Sequence, residues 1–563
     1  MKTRAHIASG KELRDEIQRL TRRDFLKVGG AGVAGAAFLG TAGCGVFSGG
    51  GQGSGNGGGG GGGTINYNLE DTVRDLDSAK TTDSVSTEIL LNVMSGLHRL
   101  DENTQPVPDL AESYDLSDDG LVYTFKLRDG IKWSNGDPVT SHDFKYAWLR
   151  ALNPDTASQY AYIISSFVKG ADAYNTGDGK PEDVAVETPD DKTLKVTLIA
   201  PAPYWLGLTS FFTYLPQNQK YVESKGEKYA LSADALIYNG PYILTQFNPT
   251  SGCTVVKNKD YWNADNVSIP KLEGRIVKEV DTAVNLFESS ELQETYIDSE
   301  YVDEYEGKSE LVQLTQFATG YIVPQYELPI FKNINIRKAL QIGFDRAAMN
   351  NKILNDGSVP ATGYVPAGIA GPGDQTFREA EGQTMPDYDP AKAKELWKKG
   401  TEEFGDNPTI ELLTYDDSTS RDLATFFQSE MKKMGAKIEI KVQPFSRKLQ
   451  LETEGKFELS NQAWIADYND PMTFMELFES TNTFNTYNYK NERYDQLIGG
   501  AREESDKAKR MEMLLEAEKI LVAEDAGVAP WRFYGASYLI QGFTNFVNQP
   551  YGGGKDYSLW KLD

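Results

Sequence analysis

TIELLTYDDSTSRDLATFFQSEMKKMGAKIEIKV, residues 409–442, changes its hydrophobic period twice. Thr409 to Tyr415 is a short apolar run rich in strand-forming residues. From Arg421 the period lengthens: Leu423, Phe426, Phe427, Met431 and Met434 fall on one stripe of a helix. Gly435 stops that helix, and residues 436–442 alternate again as a second strand. A strand, a helix and a strand within thirty-odd residues form a βαβ unit, which requires a parallel pair and a crossover. The stretch therefore predicts an α/β fold.

The rest of the chain agrees. Residues 121–127 and 193–199 alternate as half-buried strands. Residues 389–400 read as a helix that opens on Asp389-Pro390 and stops at Gly400, and 505–524 as another. No internal repeat and no long polar linker follows Gly63, so the domains are expected in close contact, with the chain crossing between them more than once.

A chain of 563 residues exceeds one ordinary core, and two or three domains are expected. Its 82 acidic against 57 basic side chains give a net charge of −25, which argues against nucleic acid or anionic lipid as a partner. Two cysteines, Cys44 and Cys253, exclude a disulfide framework, and three scattered histidines argue against a zinc site. No cofactor is expected. HExxH, GxSxG, P-loop and CxxC motifs are all missing from the sequence. A GxGxxG at Gly53, Gly55 and Gly58 is a by-product of low complexity, with no strand before it.

The first 43 residues read as an address. Arg22-Arg23 precede Phe25-Leu26 and a weakly apolar run to Gly40, the pattern of a twin-arginine (Tat) export signal. The run ends in TAGC, which resembles a lipoprotein cleavage site with Thr41 where an aliphatic residue is usual. Cys44 would then carry the lipid. Residues 44–63 complete the anchor as a glycine-rich tether, its fifteen residues from 49 to 63 reaching about 20 Å as a flexible coil.

One late stretch fits no regular element: NQAWIADYNDP, residues 461–471. Asn469-Asp470-Pro471 is a turn, and Trp464 and Tyr468 are too large and apolar for an idle loop. On residue type alone, Asp467 as a turn cap and Trp464 as core filling compete with a binding role.

Four stretches in order, residues 106–150, 239–262, 333–346 and 463–471, together resemble the family 5 extracellular solute-binding proteins, the oligopeptide receptors of ABC importers. The resemblance covers about residues 64–563. It implies a two-lobed, periplasmic-binding-protein-like α/β fold with an extra subdomain and a two-strand hinge near residues 320 and 534. Lobe I would take 64–94, 216–320 and 535–563, the subdomain 95–215, and lobe III 321–534. A monomeric, lipid-anchored receptor outside the cytoplasmic membrane would deliver peptides to permease subunits. Asp467 would pair with the peptide's α-amino group, Ala463 to Ile465 would offer backbone groups, and Trp464 a tolerant wall. An empty Asp467 is expected to stand solvated in an open cleft. Tyr160, Ser84, Tyr534 and Arg421 are the remaining candidate ligand residues, Arg421 toward the peptide carboxylate. Two other readings stay open: the same fold serving an oligosaccharide or another small solute, and a secreted hydrolase using two carboxylates 5–10 Å apart.

Overall fold

The computed structural model describes residues 63–563 apart from Pro203; the export signal, Cys44 and nearly all of the glycine tether lie outside the described residues. The opening stretch forms the expected unit. Strand Thr409–Tyr415 runs parallel to Lys437–Gln443 in unbroken register, from Thr409 opposite Lys437 to Tyr415 opposite Gln443. Between them Ser418–Met434 is helical, with the Asp417 carboxylate accepting from the Ser420 amide as its N-cap. Leu423, Phe427, Met431 and Met434 are buried and Phe426 is half-buried, so the helix faces the core with the stripe read from its sequence.

This unit is one end of a mixed eleven-strand sheet, ten strands in one row and the short Val359–Pro360 paired beside Phe533 and Arg532. Two long antiparallel strands, Leu311–Pro324 and Ala529–Ile540, occupy its middle. On one side follow Leu459–Ile465, then Thr409–Tyr415 and Lys437–Gln443. On the other follow Glu294–Ile297, Thr64–Asn68, Lys271–Arg275, Gly252–Lys257 and Tyr242–Asn248. Each half is thus built from a different part of the chain, and the long pair is the covalent link between them. Its register slips between Thr315 and Thr319 and again between Gly320 and Tyr321, which bends the sheet where the halves meet. A separate four-strand antiparallel sheet, from Ala111–Leu116 to Val186–Asp190, contains both alternating strands read from the sequence.

Two local expectations need correction or extension. The helix that starts at Asp389 does not stop at Gly400: it runs over Pro390–Phe404 and ends on Gly405, which takes the left-handed conformation at φ +86°. Gly400 is buried within it, and a Cβ there would lie 2.7 Å from Ile336 Cδ1. The glycine permits close helix packing; it is not a stop. The helix expected over 505–524 begins at Lys507 behind an Asp506 cap and widens into a π-type turn over Lys519–Glu524. Cys253 is a buried strand residue beside the Tyr67 hydroxyl, and burial pushes its thiol up to about 12. No helix of the described residues is long and apolar enough to cross a membrane.

Candidate functional site

A cavity of about 260 Å³ opens where the two halves of the sheet face each other. Ser84, Tyr160, Ala463, Trp464, Ile465 and Asp467 all line it, although they come from segments up to 383 positions apart.

The floor is the edge of strand Leu459–Ile465, so residues 461–465, expected to fit no regular element, are strand, and only 466–471 leave it. Its pairing with Leu311–Pro324 continues to the Ala466 amide, which donates to the Phe317 carbonyl at 2.8 Å. In an antiparallel ladder, alternate residues turn their amide and carbonyl groups to opposite edges. Residues 462, 464 and 466 therefore face the long strand, and 461, 463 and 465 present theirs to the other edge. On that edge the neighbour Thr409–Tyr415 pairs only with Leu459 and Ser460. Among the described strands none continues along residues 461–465. The backbone of Ala463 and Ile465 is left as an open template inside the cavity.

Asp467 closes one end of this edge. It is 7 % exposed, not solvated as the sequence led us to expect, because the 160–162 segment folds over it. The Tyr160 hydroxyl donates to Oδ1 and the Tyr162 hydroxyl to Oδ2, both at 3.3 Å, and the Asp467 amide donates to Thr473 Oγ1 at 3.0 Å. No lysine or arginine meets this carboxylate among the described ion pairs. Burial drives its pKa well above the ordinary carboxylate range; the nearby charge of Glu476 adds to the rise, and the Tyr160, Tyr162 and Thr473 hydroxyls oppose it. Glu476 is itself raised to about 7 by burial, against the pull of Arg502 and the Tyr468 hydroxyl.

Asp470, three residues on, is the opposite case. Both its oxygens receive Arg510 at 2.8 Å, and Oδ1 also accepts from the Met472 amide at 2.9 Å. Asp470 is the turn cap and a saturated ion pair. Asp467 caps nothing.

Trp464 is half-buried, its ring 5.0 Å from Phe484 and stacked 6.3 Å from Tyr160, and it forms a wall of the cavity. The exposed Ser84 begins the helix Ser84–Val93, capped by Asp83. Gly552 seals the cavity from the C-terminal segment, with its amide 2.8 Å from the Ala466 carbonyl. At φ +69°, and with a Cβ position 2.9 Å from the Asp467 carbonyl, only glycine fits there.

Two sequence candidates do not line the cavity. Arg421 lies on the first turn of its helix, 43 % exposed, where it donates to the Asp416 carbonyl and pairs with Glu279 at 3.2 Å. Together with Lys278, which reaches Asp71 at 3.2 Å and Asp416 at 3.0 Å, it joins the two halves of the sheet. Tyr534 lies beneath the Arg532 guanidinium, 3.6 Å from its ring centroid, and packs the long strand pair. Sequence reasoning missed Tyr162 and the Gly552–Gly554 turn. Their only signals were a second tyrosine two positions after Tyr160 and a glycine triplet outside the tether.

A two-part sheet spanned by a long strand pair, with a cavity in the divide, is the architecture of a two-lobed binding protein. Residues 105–486 match the family model described as bacterial extracellular solute-binding proteins, family 5 Middle. The chain belongs to the family 5 extracellular solute-binding proteins. Among family 5 relatives, the dipeptide-binding protein DppE of Bacillus subtilis is 33 % identical over 459 residues, covering 81 % of this chain and 84 % of that protein. Listeria monocytogenes OppA bound to peptide superposes with a TM-score of 0.85 at 32 % identity, over 89 % of this chain and 99 % of OppA. Escherichia coli MppA, a murein tripeptide-binding protein, is 25 % identical and gives 0.80 in one structure, covering 89 % of this chain and 98 % of MppA. Its unliganded open form gives 0.59, over 89 % and 97 %. The family 5 chain described here is therefore not in the open arrangement, which agrees with the burial of Asp467.

Proposed function

We propose that this protein is an extracytoplasmic oligopeptide receptor that delivers its ligand to an ABC importer. One observation carries the reading: a buried, cation-free carboxylate, Asp467, stands at the end of an unpaired strand edge inside a closed cavity. Peptides share an α-ammonium and a backbone while their side chains differ. The ammonium supplies the charge Asp467 lacks, and the amide and carbonyl groups of Ala463 and Ile465 extend the sheet onto the peptide main chain. Trp464 and Tyr160 give amphipathic walls, and Phe484 an apolar one, that suit many side chains. The Tyr160 and Tyr162 hydroxyls hold the carboxylate in place. A hydrolytic role needs a second free acid beside Asp467; Asp470 is taken by Arg510, Glu452 by Lys448, and both oxygens of Asp83 accept from Ser86.

The lobe boundaries follow the same reading, with lobe I from 64–94, 216–320 and 535–563, the subdomain 95–215 and lobe III 321–534. The long strands Leu311–Pro324 and Ala529–Ile540 act as the hinge. Export through the arginine pair, a lipid on Cys44 and the glycine tether would hold the receptor at the outer membrane face, within reach of permease subunits.

The test is direct. Mass spectrometry under native conditions on protein purified without refolding should show peptides bound. A peptide at a hundredfold excess over Kd should stabilise the fold by about 2.7 kcal/mol. Melting that shifts with a saccharide panel and with no peptide mixture would sink the peptide reading.

A further inference from the structure

The charges around the cavity are one-sided. Asp83, Glu452 and Asp467 line it, and no lysine, arginine or histidine does so among the described residues. Glu452 is already matched: Lys448 lies 2.5 Å away and Ser460 Oγ donates to it at 2.6 Å. Lys448 has no exposed side-chain surface and does not line the cavity; its ammonium is held behind the wall by Glu452 and the Tyr415 ring, 3.9 Å from its centroid. Asp83 accepts from the amide and hydroxyl of Ser86 at 2.8 and 2.9 Å, so it offers a ligand carboxylate no donor. A ligand ammonium is thus well provided for. A ligand carboxylate would meet only neutral amides and hydroxyls, with the acids Asp83 and Asp467 in the same wall.

The length of the open edge says where that carboxylate goes. Four residue steps from 461 to 465 at about 3.3 Å each give roughly 13 Å, room for about four residues of an extended peptide. Asp467 is beyond one end of the edge. At the other, Ser460 is already paired with Leu413, and Glu452 and Thr453 form the wall. Thr453 and Thr486 line both this cavity and an open groove of about 510 Å³ on the far side. On the groove side, Gln325 Nε2 donates to the carbonyls of Gly455 and Thr486 at 3.0 and 2.9 Å.

We propose that the cavity holds the N-terminal residues of a peptide and does not bind its C-terminal carboxylate, so the ligands are peptides longer than about four residues or with a masked C-terminus. This rests on the peptide reading above and adds a length and end-group rule to it. A tripeptide acid would bring a desolvated carboxylate into a cavity without a cation, and burying such a charge unpaired is costly. In a longer peptide the carboxylate would lie past Thr453 and Thr486 in the open groove, where solvent and the exposed Lys456 offset the groove's glutamates.

Titration calorimetry on the full chain, freed of bound ligand, tests this with one tripeptide and one octapeptide, each as free acid and as C-terminal amide. The tripeptide amide should bind at least about tenfold tighter than the acid, 1.4 kcal/mol on the usual scale. The octapeptide acid and amide should agree within about twofold. A tripeptide acid that binds as well as or better than its amide would overturn the inference while leaving a peptide receptor in place. If none of the four peptides binds, the peptide reading itself fails, and this inference fails with it.

Discussion

Replacing Asp467 with asparagine keeps the shape of the anchor and removes its charge. The carboxylate is 7 % exposed and held by two tyrosyl hydroxyls, so a bound ammonium would form its pair out of water. Removing one partner of such a pair costs about 3–5 kcal/mol. At 1.4 kcal/mol per decade, affinity for a free peptide should fall by roughly two to three and a half orders of magnitude. Acetylating the peptide amine removes the same charge from the other side, so the mutant should discriminate little between free and acetylated forms. The ligand-free protein adds a second, independent readout. Burial raises the folded pKa of Asp467 above its ordinary value of about 3.9. Such a group contributes its full stability below the unfolded pKa and loses it as pH climbs toward the folded value. Wild type and Asp467→Asn should thus melt alike near pH 4, with the mutant melting higher at pH 7. Glu294, raised to about 8 by burial, titrates in both proteins and drops out of the difference. Calorimetric titration of one peptide in both forms against both proteins, with scanning calorimetry from pH 4 to 7, completes the experiment. Equal affinities in all four combinations would refute the amine-anchor role. A mutant that melts below wild type at pH 7 would mean the carboxylate is structural.

Arg510→Met should behave oppositely, since it strands the Asp470 carboxylate; urea unfolding should report a loss of about 3–5 kcal/mol. Gly400→Ala places a methyl 2.7 Å from Ile336 and should destabilise by about 1–3 kcal/mol despite alanine's better helix propensity; a neutral or stabilising result would mean the two helices can separate at no cost. Cys44→Ala should leave melting unchanged and move the protein from the membrane to the soluble fraction; undiminished membrane association would remove the lipid anchor.

The period changes in residues 409–442 were enough to place two strands and a helix, because the helix buries one clean stripe while Thr409–Tyr415, buried on both faces at Leu412, Leu413 and Thr414, reads as an apolar run. Gly400 misled for a physical reason: a glycine that ends a helix and one that lets two helices touch look the same in sequence, and only Ile336 across the interface distinguishes them. The motif around Asp467 was legible as unusual. Its burial was not, since that depends on Tyr160 and Tyr162, 307 and 305 positions earlier. Arg421 was a reasonable candidate for a carboxylate partner by type and lost that place to Glu279, a neighbour created only by the approach of the two halves. Local pattern reports what a segment prefers; which acid keeps a cation and which is left bare is decided by distant chain.

The assembly of Asp467 with two hydroxyls from so far away has a consequence for how emptiness is sensed. The carboxylate is dry only while the two segments are together; apart, water restores it to an ordinary acid. Bringing them together with nothing between them favours the protonated acid, and proton uptake becomes harder as the medium turns alkaline. An ammonium already in place removes the need for the proton. Vacant closure would therefore be penalised increasingly as pH rises while loaded closure would not, and any partner that recognises only the closed outline of the protein would also be reading its occupancy.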